Sequence, residues 1–259
     1  MGNCHLCGEK KELTREHIPP RKAFNDFPVL LQKIDREAKT AEVSWTPAGP
    51  VEQGGHSVYT LCAQCNSDTG SWYGPAYVEF VHACAPRAEP RYANQIVEVC
   101  AIAYPLRVAK QALVIMCSSC GSNLVQTHPE IRALLLDKKQ RGLPRPLRLY
   151  AYIRCLEGGR TSGVSSILNV DPDTLHVSSP AKKVAEFSWW PLGLVLSFSA
   201  LPLDQVADIT RWLDYDYNYH TTGPLTLPCR CTVTPYPLDY RTPEEVARQI
   251  AESRAGNAG

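Results

Sequence analysis

No stretch of this chain is apolar for long enough to span a bilayer, and Met1 to Lys10 have neither the basic start nor the apolar core of an export signal. Both absences point to a cytoplasmic protein without a membrane partner. N-myristoylation is excluded as well, because Leu6 stands where Ser or Thr is needed. Neither sign of charge is in excess: 27 Lys and Arg against 26 Asp and Glu leave a formal +1. That excludes an evenly basic nucleic-acid binder but not a local basic patch. Internal repeats and low-complexity tracts are lacking too. What remains is a globular composition, 44% hydrophobic and 20% charged over 259 residues, enough for a small module plus a larger domain with a sizeable core.

Cysteine is plentiful. The count of 11 is odd, and without an export signal disulfides are not expected to persist, so metal binding and buried thiols explain it better. Cys4-x-x-Cys7 and Cys62-x-x-Cys65 have the spacing of a closed tetrahedral zinc site, four sulfurs with no open position for water. The span between the pairs exceeds that of a compact zinc ribbon, so something is inserted between the two knuckles. Cys117-x-x-Cys120 and Cys229-x-Cys231 invite a second metal site. Against it, Cys117 ends an apolar helix and Cys229 lies on an expected strand, where thiols pack as small hydrophobes. Cys84, Cys100 and Cys155 are expected in the core.

Leu13 to Ile18 reads as a short strand stopped by Pro19-Pro20, which leaves His17 at the strand end. Arg21 to Ser57 looks like an insertion, with an amphipathic piece at Val29 to Ala38. Ser57 to Leu61 alternates as a strand leading into the second knuckle, and Asn66 to about Cys84 is helical, divided by Gly70, Gly74 and Pro75. A second domain begins near residue 86. Helices are expected at Arg91 to Ala103 and Leu106 to Ser118. Another covers Ile131 to Lys138 behind a Thr127/Glu130 capping box, another Asp204 to Leu213, and a last one follows the Thr242/Glu245 capping box. Strands are expected at Leu147 to Cys155, Gly163 to Val170, Thr174 to Ser178, Val184 to Trp189, Gly193 to Ser199 and Leu225 to Thr234.

Glu16-His17-Ile18-x-Pro20, followed by Leu61-Cys62-x-x-Cys65-Asn66-x-x-Thr69-Gly70, resembles the HNH endonuclease family in residue type, order and relative position over the first third of the chain. The resemblance implies a ββα-metal fold in which an acidic-His pair ends one strand and a Cys-x-x-Cys ends the next. A His or Asn then opens the helix. It further implies that His17 is the general base, while Glu16 and Asn66 hold magnesium or manganese. The family's middle asparagine, which buttresses the loop carrying the base, falls by spacing at Ser57 with His56 beside it, and neither is asparagine. His56 and Ser57 are therefore accessory candidates, as are Arg15 and Arg21 for phosphate contact.

Lys138, Lys139, Arg141, Arg145 and Arg148 form the densest basic run, with Tyr150 and Tyr152 behind it. With Lys22 they could track a phosphate backbone or stack on bases, or simply be a solvated helix end and loop. Trp189-Trp190 and Tyr215, Tyr217 and Tyr219 suggest an aromatic surface, for which core packing is the commoner reason.

The expectation is an α+β chain: a zinc-stapled ββα-metal nuclease module over 1–85, then a larger α+β domain over 86–259 that recognises a target, protein partner or regulatory ligand. The resemblance implies a DNA endonuclease, of the kind found in restriction or anti-phage defence. The alternatives are an RNase of toxin type and a non-catalytic zinc module that binds nucleic acid or a protein.

Overall fold

The computed structural model describes residues 1–31, 49–121, 123–167, 182–234 and 236–256. Strands β1 (Gly2–Asn3) and β2 (Lys10–Lys11) pair as an antiparallel hairpin around the first cysteine knuckle, and β3 (Leu13–His17) follows. β4 (Val29–Leu30) and β5 (Val51–Glu52) pair antiparallel, and β6 (Ser57–Cys62) lies antiparallel to β3. Helix α1 (Ala63–Cys84) starts without a break after β6. The amphipathic piece expected at Val29 to Ala38 forms β4 at its start; 32–48 lie outside the described residues.

Helix α1 is not divided. It carries Pro75 in its interior and runs unbroken, because Tyr73, Tyr77, Phe80, Val81 and Cys84 form one buried stripe. Each large side chain in that stripe contributes about 2 kcal/mol of burial, enough to outweigh the cost of proline and glycine.

The larger region is a mixed α/β layer. β7 (Ile96–Ala103) leads to α2 (Pro105–Cys120), α3 (Asn123–Thr127) and α4 (Pro129–Leu136); then come β8 (Arg148–Arg154), β9 (Gly159–Ile167), β10 (Lys182–Trp189), β11 (Leu192–Ser197), β12 (Ala207–Asp208), β13 (Thr221–Arg230) and α5 (Pro243–Gly256). The sheet order is β7-β13-β8-β11-β10-β9, with β12 on the first half of the β8 edge that β13 occupies at its end. All its pairings are antiparallel except β13 with β8. Strand β11 is buried along its whole length, since the sheet is covered on both faces there. Helix α2 packs against β9, β10 and β11 and against α1. Buried residues from Cys4 to Cys231 form one contiguous cluster, so both parts share a core. Trp189 Nε1 donates to the Phe24 carbonyl at 2.8 Å and Trp190 Nε1 to that of Ala88 at 3.1 Å. The first bond ties the sheet to the N-terminal segment and the second to the stretch just after α1.

Several sequence expectations are corrected. Arg91 to Ala103 is not an α-helix: from Ile96 on, Val97, Val99 and Ala103 are buried while Ile96, Glu98 and Cys100 are exposed, the period of a strand, and β13 pairs along Ile96 to Ala103. Cys100 is accordingly on the surface. Asp204 to Leu213 is not a helix either. Gln205 takes a positive φ of 67°, Ala207–Asp208 joins β8, and the Asp208 side chain accepts from Thr210 N at 2.9 Å, leaving only a 3-10 turn at Thr210–Asp214. The Thr127/Glu130 box does not form, because α4 starts one residue later at Pro129, behind His128. The Thr242/Glu245 box does form, with reciprocal bonds of 2.6 and 3.2 Å. Thr174 to Ser178 lie outside the described residues. No helix among the described residues is long and apolar enough to cross a membrane.

One buried charge is open to a simple test. Lys110 Nζ donates to the Asp137 carbonyl at 2.8 Å and sits 5.5 Å from the Tyr73 ring centre, and burial pulls its ammonium down to about 8 from 10.5. The folded chain thus binds this proton less readily than the unfolded chain does. Its contribution to stability is full above pH ~10.5 and is lost as pH falls towards 8. The parent is expected to gain Tm between pH 8 and 10, and Lys110→Met is expected to flatten that rise. An identical slope in both would contradict the assignment.

Candidate functional site

The four N-terminal cysteines come together as the spacing predicts. The sulfurs of Cys4, Cys7, Cys62 and Cys65 lie within 4.8 Å of one another and all four residues are buried. The knuckle is shaped by Gly8 at φ +75°, by Gly8 N donating to the Cys4 carbonyl at 2.9 Å, and by Cys62 N pointing at Cys4 Sγ at 3.3 Å. A hydrogen bond from Cys65 holds the Cys4 thiol down to about 4, while burial raises that of Cys7. This group can hold one structural metal ion. Among the described residues no other such group occurs: Cys117 is buried in α2, and Cys231 instead sits 3.1 Å from Cys155.

Beside the staple is a cleft of about 270 Å³ walled by three elements. β3 and the turn after it supply Arg15, Glu16, His17 and Arg21; α1 supplies Asn66, Thr69, Gly70 and Gly74; α2 supplies Gln111 and Val114. Gly70 and Gly74, expected to break α1, are instead places where the helix has no side chain: a Cβ there would meet open space, so any larger residue would project into the solvent or the cleft.

His17 ends β3 with Nε2 3.1 Å from the Gly54 carbonyl oxygen. Only an N–H can answer that oxygen, so the neutral ring carries its proton on Nε2 and keeps a lone pair on Nδ1. The loop presenting Gly54 is fixed by Asn25, which is fully buried. Its Nδ2 donates to the carbonyls of Pro19 at 2.7 Å and His56 at 2.9 Å, and its Oδ1 accepts from His56 N at 2.7 Å. Gly55, at φ +99°, is required there because a Cβ would collide with the Asn25 backbone.

Glu16 is 7% exposed. The pairing of β3 with β6 shifts register between Thr14 and Arg15, so Thr60 is the extra residue of a bulge and turns inward. Thr60 Oγ1 donates a hydrogen bond to Glu16 Oε1, and Ser118 Oγ of α2 donates to the same oxygen at 2.9 Å. Burial pushes the carboxyl up to about 7 against the pull of those two bonds. Oε2 has no protein donor among the described residues. Asn66 is oriented by its own amide, with Nδ2 donating to Thr14 Oγ1 at 3.1 Å and Oδ1 left without a protein donor among the described residues. Two hard oxygens, one from a carboxylate and one from an amide, suit a small divalent cation.

The accessory candidates separate. Arg15 Nε donates to Ser57 Oγ at 2.8 Å, so Ser57 orients an arginine on the rim. Arg15 and Arg21 pair with no carboxylate among the described residues and leave the cleft attractive to an anion. His56 does not line the cleft; its Nδ1 lies 3.2 Å from Glu52 Oε2, and its backbone, not its ring, meets Asn25. Lys22, Lys138, Lys139, Arg141, Arg145 and Arg148 do not line it either. Arg141 pairs with Asp216 at 2.9 Å and Arg148 with Asp208 at 3.1 Å, while Lys138 lies 5.6 Å from the Tyr217 ring centre. Tyr150 and Tyr152 are buried, so neither can stack on a base. Trp189, 7% exposed, is likewise packing, whereas Tyr215 and Tyr219 stack at 4.5 Å on the surface.

Sequence reasoning missed Asn25, Thr60, Gln111 and Ser118. Asn25-Asp26-Phe27-Pro28 reads only as a turn, and a bulge leaves no local signature. Gln111 did leave a signal, being a polar residue inside the apolar run of α2. No family model, curated protein or solved structure matches this chain.

Proposed function

We propose that the chain is a metal-dependent endonuclease of HNH type, stapled by zinc at Cys4, Cys7, Cys62 and Cys65. The observation that carries this reading is the environment of His17: a histidine held in one tautomer, in a cleft with two partnerless hard oxygens and two unpaired guanidiniums. That is the set of groups that hydrolysis of a phosphodiester needs. Arg15 and Arg21 draw the phosphate to the rim. His17 Nδ1 accepts a proton from water as its oxygen attacks phosphorus, while Nε2–H donated to Gly54 fixes the ring plane and spreads the charge it gains. Glu16 Oε2 and Asn66 Oδ1 would hold magnesium or manganese, which neutralises the phosphate and the departing 3′ oxygen. The products are then a 5′-phosphate and a 3′-hydroxyl. DNA is the substrate expected from the resemblance, with a role in restriction or anti-phage defence; the region over 86–259 then serves to choose the target or receive a partner.

The test is incubation of the purified protein with supercoiled plasmid and, separately, folded RNA, with magnesium or manganese added or withheld. Nicking by the parent is expected to depend on the added ion and to fall about 10²- to 10⁴-fold in His17→Ala, the usual contribution of a general base. RNA loss with intact plasmid would move the substrate to RNA. Equal behaviour of parent and variant on both substrates would remove the catalytic reading and leave a zinc-stapled binding module.

A further inference from the structure

Helix α2 belongs to the larger region, yet three of its residues at the spacing of one helical stripe, Gln111, Val114 and Ser118, face the N-terminal cleft. Ser118 holds Glu16, and Val114 and Gln111 line the cleft wall. Gln111 is 6% exposed, and its Oε1 is buried without a hydrogen-bond partner. A buried amide oxygen without a donor is destabilising, and it persists where a ligand supplies the partner.

Three of the donors lining the cleft are committed elsewhere: His17 Nε2 to Gly54, Arg15 Nε to Ser57 and Asn66 Nδ2 to Thr14. The residues lining the cleft thus carry three oxygens from three elements, Glu16 Oε2, Asn66 Oδ1 and Gln111 Oε1, that have lone pairs and no protein donor among the described residues, with Gln111 Oε1 buried in the wall. We propose that Gln111 supplies the third protein oxygen of a divalent-cation site in this cleft, directly or through a water on the ion. This deepens and rests on the nuclease reading, and makes the site a joint product of both parts of the chain. A carboxylate and two amide carbonyls form a hard, weakly charged set, and such a set suits an ion that keeps several waters and shares its remaining positions with phosphate.

The probe is Mn²⁺ added to the full zinc-loaded protein, with free Mn²⁺ read by electron paramagnetic resonance and the isotherm checked by calorimetry. The parent is expected to bind one ion, Glu16→Gln to lose it, and Gln111→Leu to bind at least tenfold more weakly while its thermal melt stays cooperative. Gln111→Glu keeps the side-chain length and adds charge, so it is expected to bind at least tenfold more tightly; it decides the matter if Gln111→Leu does not fold. Parent-like affinity in both Gln111 variants, alongside loss in Glu16→Gln, would overturn the role of Gln111 and leave the cation site standing. Failure of the parent to bind Mn²⁺ would overturn both.

Discussion

Cys62→Ser is expected to release the metal ion of the four-cysteine group, proposed above to be zinc, and to unfold the N-terminal segment around it. Cys62 is the last residue of β6 and directly precedes α1, and its backbone N–H also meets Cys4 Sγ at 3.3 Å. One substitution thus loosens the first knuckle, the β3–β6 pair and the helix start together. The β1–β2 hairpin has two residues on each strand and cannot close by itself. Leu6, fully buried, is held in place by the knuckle. A structural zinc contributes on the order of 10 kcal/mol in isolated zinc-finger peptides. Here the shared core retains part of the fold, so a loss of several kcal/mol is expected, seen as a large drop in Tm and rapid proteolysis before residue 62. Metal content by mass spectrometry should read one zinc in the parent and none in the variant. A parent that purifies without zinc and melts identically with and without chelator would show that the four thiols are merely packed.

That staple was legible from the sequence because its chemistry is local: two residues between thiols fix two ligands whatever the rest of the chain does. The positions of Glu16, His17 and Asn66 were legible for the same reason, since a strand end and a helix start place a side chain with no distant help. The third wall was not. Ser118 is 102 residues from Glu16, and nothing near either residue announces their 2.9 Å contact. The strand β7 was misread because Ile96 to Ala103 satisfies a helical apolar stripe about as well as alternation. What decides between them is β13, more than a hundred residues away, whose backbone pairs along its whole length. Tertiary pairing settles short apolar segments that local pattern leaves ambiguous.

Asn25→Ala is expected to be the most damaging substitution outside the cleft and the four-cysteine group. Its amide satisfies three backbone groups at once, the carbonyls of Pro19 and His56 and the amide of His56, and joins the turn after His17 to the loop after Glu52. Truncation leaves the Pro19 carbonyl, in a buried setting, and the His56 N–H, in a part-buried one, without these partners; the His56 carbonyl still accepts from Ile18 N at 3.3 Å. At about 1–3 kcal/mol for each orphaned group, a loss of roughly 3 kcal/mol is expected. The chemical consequence is more specific. Gly54 belongs to the loop that Asn25 pins, and its carbonyl holds His17 Nε2. Once that loop relaxes, the ring is free to rotate and to change tautomer, which on the nuclease reading takes Nδ1 out of line with the attacking water. A displacement of 1 Å is enough to cost about 10²-fold in rate. Asn25→Asp separates the two effects. It keeps the acceptor for His56 N but sets a carboxylate oxygen against the carbonyls of Pro19 and His56, so it should be no better than alanine. If the role were volume alone, Asp would restore most of the loss. Cleavage rates and melts of both variants beside His17→Ala measure this directly, and an Asn25→Ala protein with parental rate would show that Gly54 orients His17 without its buttress.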